Sequence, residues 1–463
     1  MTEREPDGAR FPLLARATPL VLGAVLAVVL VALARRPFRA FDTYFHLRLG
    51  EELRHGWSVA HPGQLSTAST NDWAPTQWLP QVALSWVEEA AGTPGLVVVF
   101  ALLVTGLATA LYLLLRHRAG PLPAAVLTAV AVVGWLPSLS LRPQVLSYLF
   151  LVAVVAAWDR TRRTGRAPWP LVVLAWVWAT SHGMWVLGVA ASAVLAVAVV
   201  AERRPPRRAA LALLAVPAGM LVAALATPVG PRLLSAILLV NSRAEYFREW
   251  RSPELMTLGA LPVTGLLVTA VLLLVRRDGV RPYEVALLGL GGVFALYSQR
   301  TLPLALVVLA CVVAGVWGRA ARPVSRAEGG CLAALALGVA AVAPFLPVAD
   351  DPADDLRPFA AELDALAPGS VVVTDWGSGG VLLWTEPRLD IPLHGYGDVY
   401  TDAELERYDD LARLAPGWDD TLADLAPDRA LLPEDSALAY ALTGRGWSVR
   451  RQAGDLVLLA PPA

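Results

Sequence analysis

The chain has 463 residues, 56% hydrophobic and 17% charged, with a mean hydropathy of +0.54 and a formal net charge of -1. Apolar runs of roughly twenty residues recur along it, each long enough to cross a hydrocarbon layer of ~30 Å, which excludes an ordinary soluble multidomain protein. All 38 basic residues are arginine, and the two cysteines, Cys311 and Cys331, lie in apolar runs, so neither a disulfide framework nor a cysteine metal site is indicated.

The first apolar run, residues 18–33, follows a basic leader. Ala32-Leu33-Ala34 is a nominal cleavage site but runs straight into Arg35 and Arg36, so the run reads as a retained span. A long polar connection, residues 35–93, comes next. Within it Asp42 and His46 stand at i and i+4 in Phe41-Asp42-Thr43-Tyr44-Phe45-His46-Leu47-Arg48-Leu49-Gly50 and would share a helical face. A carboxylate and an imidazole so placed can share a proton or bind a divalent cation; two solvated residues at the start of an interfacial helix is the simpler alternative. Trp78, Val82 and Trp86 form one apolar stripe, the pattern of a helix lying on a membrane surface.

Further apolar runs begin near Pro94, Pro121, Pro143, Trp169, Met184, Ala209, Met256, Tyr283, Leu302 and Cys331, giving about eleven spans by length. The stretch from Trp169 to Val200 is too long for one ordinary helix and is split at Ser181-His182-Gly183. Arginines cluster on alternate connections: Arg116 and Arg118; Arg160, Arg162, Arg163 and Arg166; Arg203, Arg204, Arg207 and Arg208; Arg276, Arg277 and Arg281; Arg319, Arg322 and Arg326. Basic connections face the cytoplasm, which predicts a cytoplasmic N-terminus and an extracytoplasmic C-terminus, with Arg35, Arg36 and Arg39 as a local exception.

After Pro347 the composition changes. Asp350-Asp351-Pro352-Ala353-Asp354-Asp355 reads as an acidic hinge between a transmembrane domain, residues 1–348, and a small extracytoplasmic α/β domain, residues 349–463. Strands are predicted near 370–374, 429–432, 447–450 and 456–459, with helices near 356–366, 402–414, 419–426 and 437–443. Thr374-Asp375-Trp376-Gly377-Ser378-Gly379-Gly380 reads as a glycine-rich turn after a strand; it follows no phosphate-loop spacing, but Asp375 is kept as a candidate contact to substrate.

Polar residues on the predicted outer side come from separate connections: Asp42, His46, Arg142, His182, Glu245, Glu249 and Arg300. Ionisable groups at membrane depth are costly and usually face a wet cavity or a partner. Mixed charge on one face suits an anionic lipid-linked substrate, with the planar arginine fork pairing with phosphate. No Walker loop, HExxH or Gly-x-Ser-x-Gly elbow is present.

The order of segments resembles a bacterial branch of the GT-C superfamily, membrane glycosyltransferases that use polyprenyl-phosphate sugars. The resemblance rests on Asp42 followed by His46-Leu47-Arg48-Leu49-Gly50, on Asn71-Asp72-Trp73 and Trp78-Leu79, and on Arg142-Pro143-Gln144. It continues through Trp178-Ala179-Thr180-Ser181-His182-Gly183, Thr227-Pro228-Val229-Gly230, Glu249-Trp250-Arg251-Ser252-Pro253 and Gly395-Tyr396-Gly397-Asp398-Val399-Tyr400. Thr180 and Thr227 replace the branch's asparagines, and His394 and Tyr396 stand where it has Asp and Arg.

The resemblance implies a helical GT-C-like membrane protein in the bacterial plasma membrane. It also implies transfer of a sugar from a polyprenyl phosphate to a glycan, lipid or protein acceptor, without nucleic acid as partner. Asp42 would be the catalytic base or the ligand of a divalent metal ion, assisted by His46. Arg142 and Arg300 would hold the lipid phosphate, with His182, Glu245 and Glu249 as further substrate contacts. A non-catalytic scaffold of envelope assembly and a lipid or solute transporter are the alternatives.

Overall fold

A computed structural model describes residue 23 and residues 26–243, 246, 248–317 and 323–462. Part of the first predicted span and Glu245 lie outside the described residues. The first described helix, α1, covers residues 26–34. It is followed by α2 (Asp42–His55), α3 (Trp78–Arg116), α4 (Pro121–Trp135), α5 (Gln144–Thr164), α6 (Pro170–Ala179) and α7 (Trp185–Arg203). The bundle continues with α8 (Arg207–Leu225), α9 (Arg232–Ser242), α10 (Leu261–Val275), α11 (Pro282–Tyr297), α12 (Leu302–Trp317) and α13 (Arg326–Val342).

Several helix limits follow from local chemistry. Pro121, Pro170 and Pro282 occupy first-turn positions, where the missing N–H has no partner to lose. Gly165, at φ 75°, closes α5 in the left-handed conformation. Inside α3 Gly92 takes φ 56° and ψ -157°, two residues before Pro94, so the helix kinks between its Trp78 arm and the long apolar arm. The interfacial stripe and the span predicted to begin near Pro94 are therefore joined end to end. The break at Ser181-His182-Gly183 separates α6 from α7.

Six helical segments among the described residues are long and apolar enough to cross a membrane: Trp78–Arg116, Pro121–Ser138, Trp185–Arg203, Arg207–Leu225, Gln299–Trp317 and Arg326–Phe345. Pro170–Ala179, Leu261–Val275 and Pro282–Tyr297 are apolar but shorter. α12 runs through the middle of the bundle against α4, α5, α10 and α11, with every residue from Leu304 to Ala314 buried. α13 lies at the edge, and its exposed Leu337 is matched by exposed Val173 of α6 and Val222 of α8, as expected of walls facing hydrocarbon. At one end of the bundle Arg116 pairs with Glu328, Arg118 and Arg163 with Asp159, Arg162 with Glu202 and Arg277 with Glu284. At the other end lie the starts of α5 and α7 and the end of α11.

From Pro352 the chain forms α14 (Pro352–Leu356), α15 (Ala360–Asp364), β1 (Val372–Thr374) and α16 (Trp376–Thr385). Then come α17 (Asp402–Arg413), α18 (Trp418–Leu425), β2 (Arg429–Pro433), α19 (Ala437–Gly444), β3 (Ser448–Ala453) and β4 (Leu456–Ala460). The sheet order is β1-β2-β4-β3, with β1 parallel to β2 and the other pairs antiparallel. Two expectations are corrected. The helix predicted over 356–366 is interrupted by a 3-10 turn, Arg357–Phe359, because Pro358 cannot continue an α-helical ladder. The glycine-rich segment 377–380 is not a turn but the start of α16, capped by Asp375, whose carboxylate accepts from the backbone N–H groups of Gly377 and Ser378.

Those glycines have a tertiary reason. A Cβ on Gly379 would lie 1.8 Å from the carbonyl oxygen of Leu393, and one on Gly377 or Gly395 would press within 3.4 Å of the Phe41 ring. Phe41 immediately precedes α2, so α16 and the 395 turn cradle the start of that helix. The long loop adds hydrogen bonds to the same face: Ser66 Oγ to Asp390 (2.5 Å), Thr70 Oγ1 to Glu404 (2.6 Å) and Asn71 Nδ2 to the Asp398 carbonyl (2.7 Å). Tyr408 returns one from its hydroxyl to the Ala68 carbonyl (2.8 Å).

Candidate active site

A cavity of about 650 Å³ opens where α2, α5, α7 and α9 meet the 395 turn. Asp42, His46, Arg142, His182, Glu249 and Arg300 all line it, although they come from five separate stretches of chain. Asp375 does not, its carboxylate being spent on the α16 cap; the neighbouring Trp376 reaches the cavity instead.

Asp42 opens α2, where the partial positive charge of the helix N-terminus favours a carboxylate. One turn on, His46 Nδ1 is 3.0 Å from Gln81 Nε2 of α3, which donates to it. This contact depends on Gly50, since a Cβ there would lie 2.0 Å from the Gln81 carbonyl oxygen. Gly50→Ala should therefore push α2 away from α3 and lower the thermal unfolding midpoint of the detergent-solubilised protein, by an overpacking cost of about 1–3 kcal/mol. An unchanged midpoint would show that the helices part without penalty.

Arg142 Nη1 donates to Asp42 Oδ2 (2.7 Å) and to Glu249 Oε1 (3.3 Å), while its Nε is fixed by Ser140 Oγ (2.8 Å). Arg300 Nε donates to Glu249 Oε2 (2.9 Å), and its guanidinium lies 4.7 Å from the centre of the Trp250 ring, a cation–π contact. Glu249 thus spans two guanidiniums, one oxygen to each. Burial pushes its carboxyl up, but Arg300 and Arg142 more than offset this and hold it below the usual carboxylate range.

The two histidines are held as hydrogen-bond donors. Ser147 Oγ accepts from Trp178 Nε1 (2.9 Å), so its own proton goes to His182 Nδ1 (3.0 Å). With Nδ1 accepting in both His46 and His182, Nε2 carries the proton on each ring. Burial, then the nearby arginines, lowers both histidines well below their ordinary pKa, so they stay neutral. Both rings line the cavity.

The donor set does not suit a divalent cation. Among the described residues no three His, Cys, Asp or Glu side chains converge as a metal-binding group. Asp42 has one oxygen on Arg142, and both oxygens of Glu249 are met by guanidiniums, which would repel a cation. Trp250, Tyr396 and Asp398 also line the cavity but were not among the expected site residues. Their signal was present in the Glu249-Trp250 and Gly395–Tyr400 motifs, but only the fold aims them inward.

No family model matches the chain, and no curated protein sequence matches it. Among solved structures it resembles the Archaeoglobus fulgidus oligosaccharyltransferase tethered by a disulfide to an acceptor peptide containing the NVT sequon. The TM-score is 0.51 at 11% identity, covering 91% of this chain and 69% of that one. A second structure of that protein, a complex with Zn and sulfate, gives 0.49 at 12% identity, covering 90% and 69%. The first likeness shows a shared fold. The chain is a helical membrane protein that shares the fold of this archaeal oligosaccharyltransferase.

Proposed function

We propose that the protein is a membrane glycosyltransferase that moves a sugar from a polyprenyl-phosphate donor to an extracytoplasmic acceptor. The observation that carries this reading is the convergence of Arg142 and Arg300 on one carboxylate, Glu249, inside a cavity with apolar walls. A phosphate can take the position of that carboxylate, since the arginine fork binds both. His46 and His182 add neutral N–H donors that need no counter-charge. Leu187, Ile237 and Leu238 supply apolar wall, Leu238 being strongly exposed, as a lipid tail requires. In this reading the leaving phosphate is stabilised between the arginines, and Asp42 offers its second oxygen, Oδ1, to the acceptor. Convergence of these groups speaks for transfer and against a non-catalytic scaffold.

The remaining parts are read in the same way. About eleven crossings, with shorter helices tilted or paired, would place the N-terminus in the cytoplasm and the cavity outside the bacterial plasma membrane. Residues 349–463 would act as an extracytoplasmic domain that closes the cavity and selects a glycan, lipid or protein acceptor. The archaeal structure carries an acceptor peptide, which is compatible with a polymer entering a fold of this kind.

The test is incubation of purified protein in nanodiscs with labelled polyprenyl-phosphate hexoses and pentoses, scoring transfer to alkyl glycosides or water. Release of label only at the protein-free rate would sink the reading. Glu249 should compete with the donor, so Glu249→Gln is expected to tighten binding of a short-chain polyprenyl phosphate several-fold, on the order of 1 kcal/mol for a freed charged hydrogen bond. Titration by calorimetry reads this directly; weaker binding would mean that Glu249 orders the arginines rather than occupying their site.

A further inference from the structure

We propose that Asp398 is the general base of the transfer, taking the proton of the attacking acceptor hydroxyl. The assignment rests on the glycosyltransferase reading and adds to it the destination of the proton. Four carboxylates line the cavity: Asp42, Glu249, Asp398 and Asp409. Asp42 is bound to Arg142, Glu249 to Arg142 and Arg300, and Asp409 to Arg413 at 3.0 Å. Asp398 alone among them makes no ion pair with a described residue. A guanidinium partner stabilises the ionised carboxylate and makes it a weaker base, a penalty that Asp398 escapes.

Its position is fixed by the backbone on both sides. Arg243 Nη1 donates to the Gly397 carbonyl (2.9 Å), Asn71 Nδ2 to that of Asp398 (2.7 Å), and Asn71 N to that of Val399 (3.1 Å). The turn is therefore held by the long loop and by the segment after α9, and the side chain need not be held by a salt bridge. Tyr396 sits on the same turn, its ring 5.0 Å from that of Phe45 and 6.4 Å from His46, so the turn packs against α2.

The groups facing Asp398 are Arg243 from the segment after α9, Arg300 from the turn before α12, and the Tyr396 hydroxyl. Burial raises its carboxyl and outweighs these three, so it takes up a proton at higher pH than an ordinary aspartate. A base poised nearer the working pH is the better catalyst. In the step itself the acceptor oxygen bonds to the anomeric carbon as the bond from that carbon to the phosphate oxygen breaks. The electron pair leaves with the phosphate between Arg142 and Arg300. The hydroxyl proton passes to Asp398 and from there to water.

The experiment uses the full chain in nanodiscs, a labelled polyprenyl-phosphate sugar as donor and an alkyl glycoside as acceptor. Asp398→Asn should lower kcat by roughly 100-fold or more, in the range of lost acid–base catalysis, with donor affinity within about twofold of wild type. The acid limb of the wild-type kcat/KM profile should lie above the ordinary carboxylate range and be absent in Asp398→Asn. Asp398→Glu should recover part of the rate with that limb displaced, and it carries the test if the Asn variant does not fold. Asp398→Asn keeping more than about a tenth of kcat, or an acid limb unmoved in both variants, would overturn the assignment while leaving the glycosyltransferase reading intact. Absence of wild-type transfer to any acceptor, water included, would overturn both.

Discussion

Arg142→Ala is expected to abolish donor binding and turnover together. The Arg142 side chain is 7% exposed and serves two carboxylates and a serine, so removing it leaves Asp42 without its ion pair and Glu249 with Arg300 alone. The carboxylates left behind are partly exposed, 19% for Asp42 and 47% for Glu249, so the lost charged hydrogen bonds cost about 1–3 kcal/mol, roughly tenfold to 100-fold in any equilibrium that needs the intact network. Under the proposed function the variant loses affinity for polyprenyl phosphate itself, not only for the sugar. Arg142→Lys separates charge from geometry: a single ammonium cannot satisfy Ser140, Asp42 and Glu249 together, so most of the loss should persist. Binding of a soluble short-chain polyprenyl phosphate, read beside kcat/KM, distinguishes the outcomes. Intact phosphate binding in Arg142→Ala would remove this residue from the donor site.

Asp42→Asn is expected to behave in the opposite way at the donor and equally badly in turnover. The amide keeps the volume and can still accept from Arg142 through its oxygen, but it lifts one negative charge from beside the phosphate position. Donor binding should hold or strengthen. The acceptor loses its anionic partner, and kcat should fall by about 100-fold or more, the range for removing one preorganised electrostatic contact of the transition state. Full activity in this variant would show that Asp42 only anchors Arg142. Thermal unfolding of the two variants provides the control, because Arg142→Ala should destabilise and Asp42→Asn should barely do so.

Much of the membrane architecture was legible because hydropathy and helix limits are local properties. The break at His182 could be read from the length of the apolar stretch and one polar triplet. The kink at Gly92 could not, since Pro94 marked only a start and not the continuity of α3 across it. At the site, Asp42, His46, Arg142, His182, Glu249 and Arg300 were singled out as ionisable residues at predicted outer span ends. The fold places all six on one cavity. Their pairing was not legible: which carboxylate each arginine meets depends on how α5, the 249 turn and the 300 turn pack. Asp375 misled for the same reason, because a carboxylate before a glycine run looks chemical until the helix it caps is seen. Asp398 was passed over because its distinguishing property, that it makes no ion pair with a described residue, exists only in three dimensions.

The glycine cradle around Phe41 has a consequence for anyone who would exchange the C-terminal domain. The sheet and its helices look like a detachable cassette, joined to the bundle by an acidic hinge. Yet Phe41 lies against Gly377 and Gly395, and residues 66–71 are sewn by hydrogen bonds to Asp390, Glu404, Asp398 and Val399. A chimera that exchanges residues 350–462 alone would set a foreign surface against a native plug and loop. Residues 41–73 and Arg243, which bonds to Gly397 and Asp402, have to be exchanged together with 350–462, and swaps respecting those contacts are the ones expected to fold with Asp42 in register.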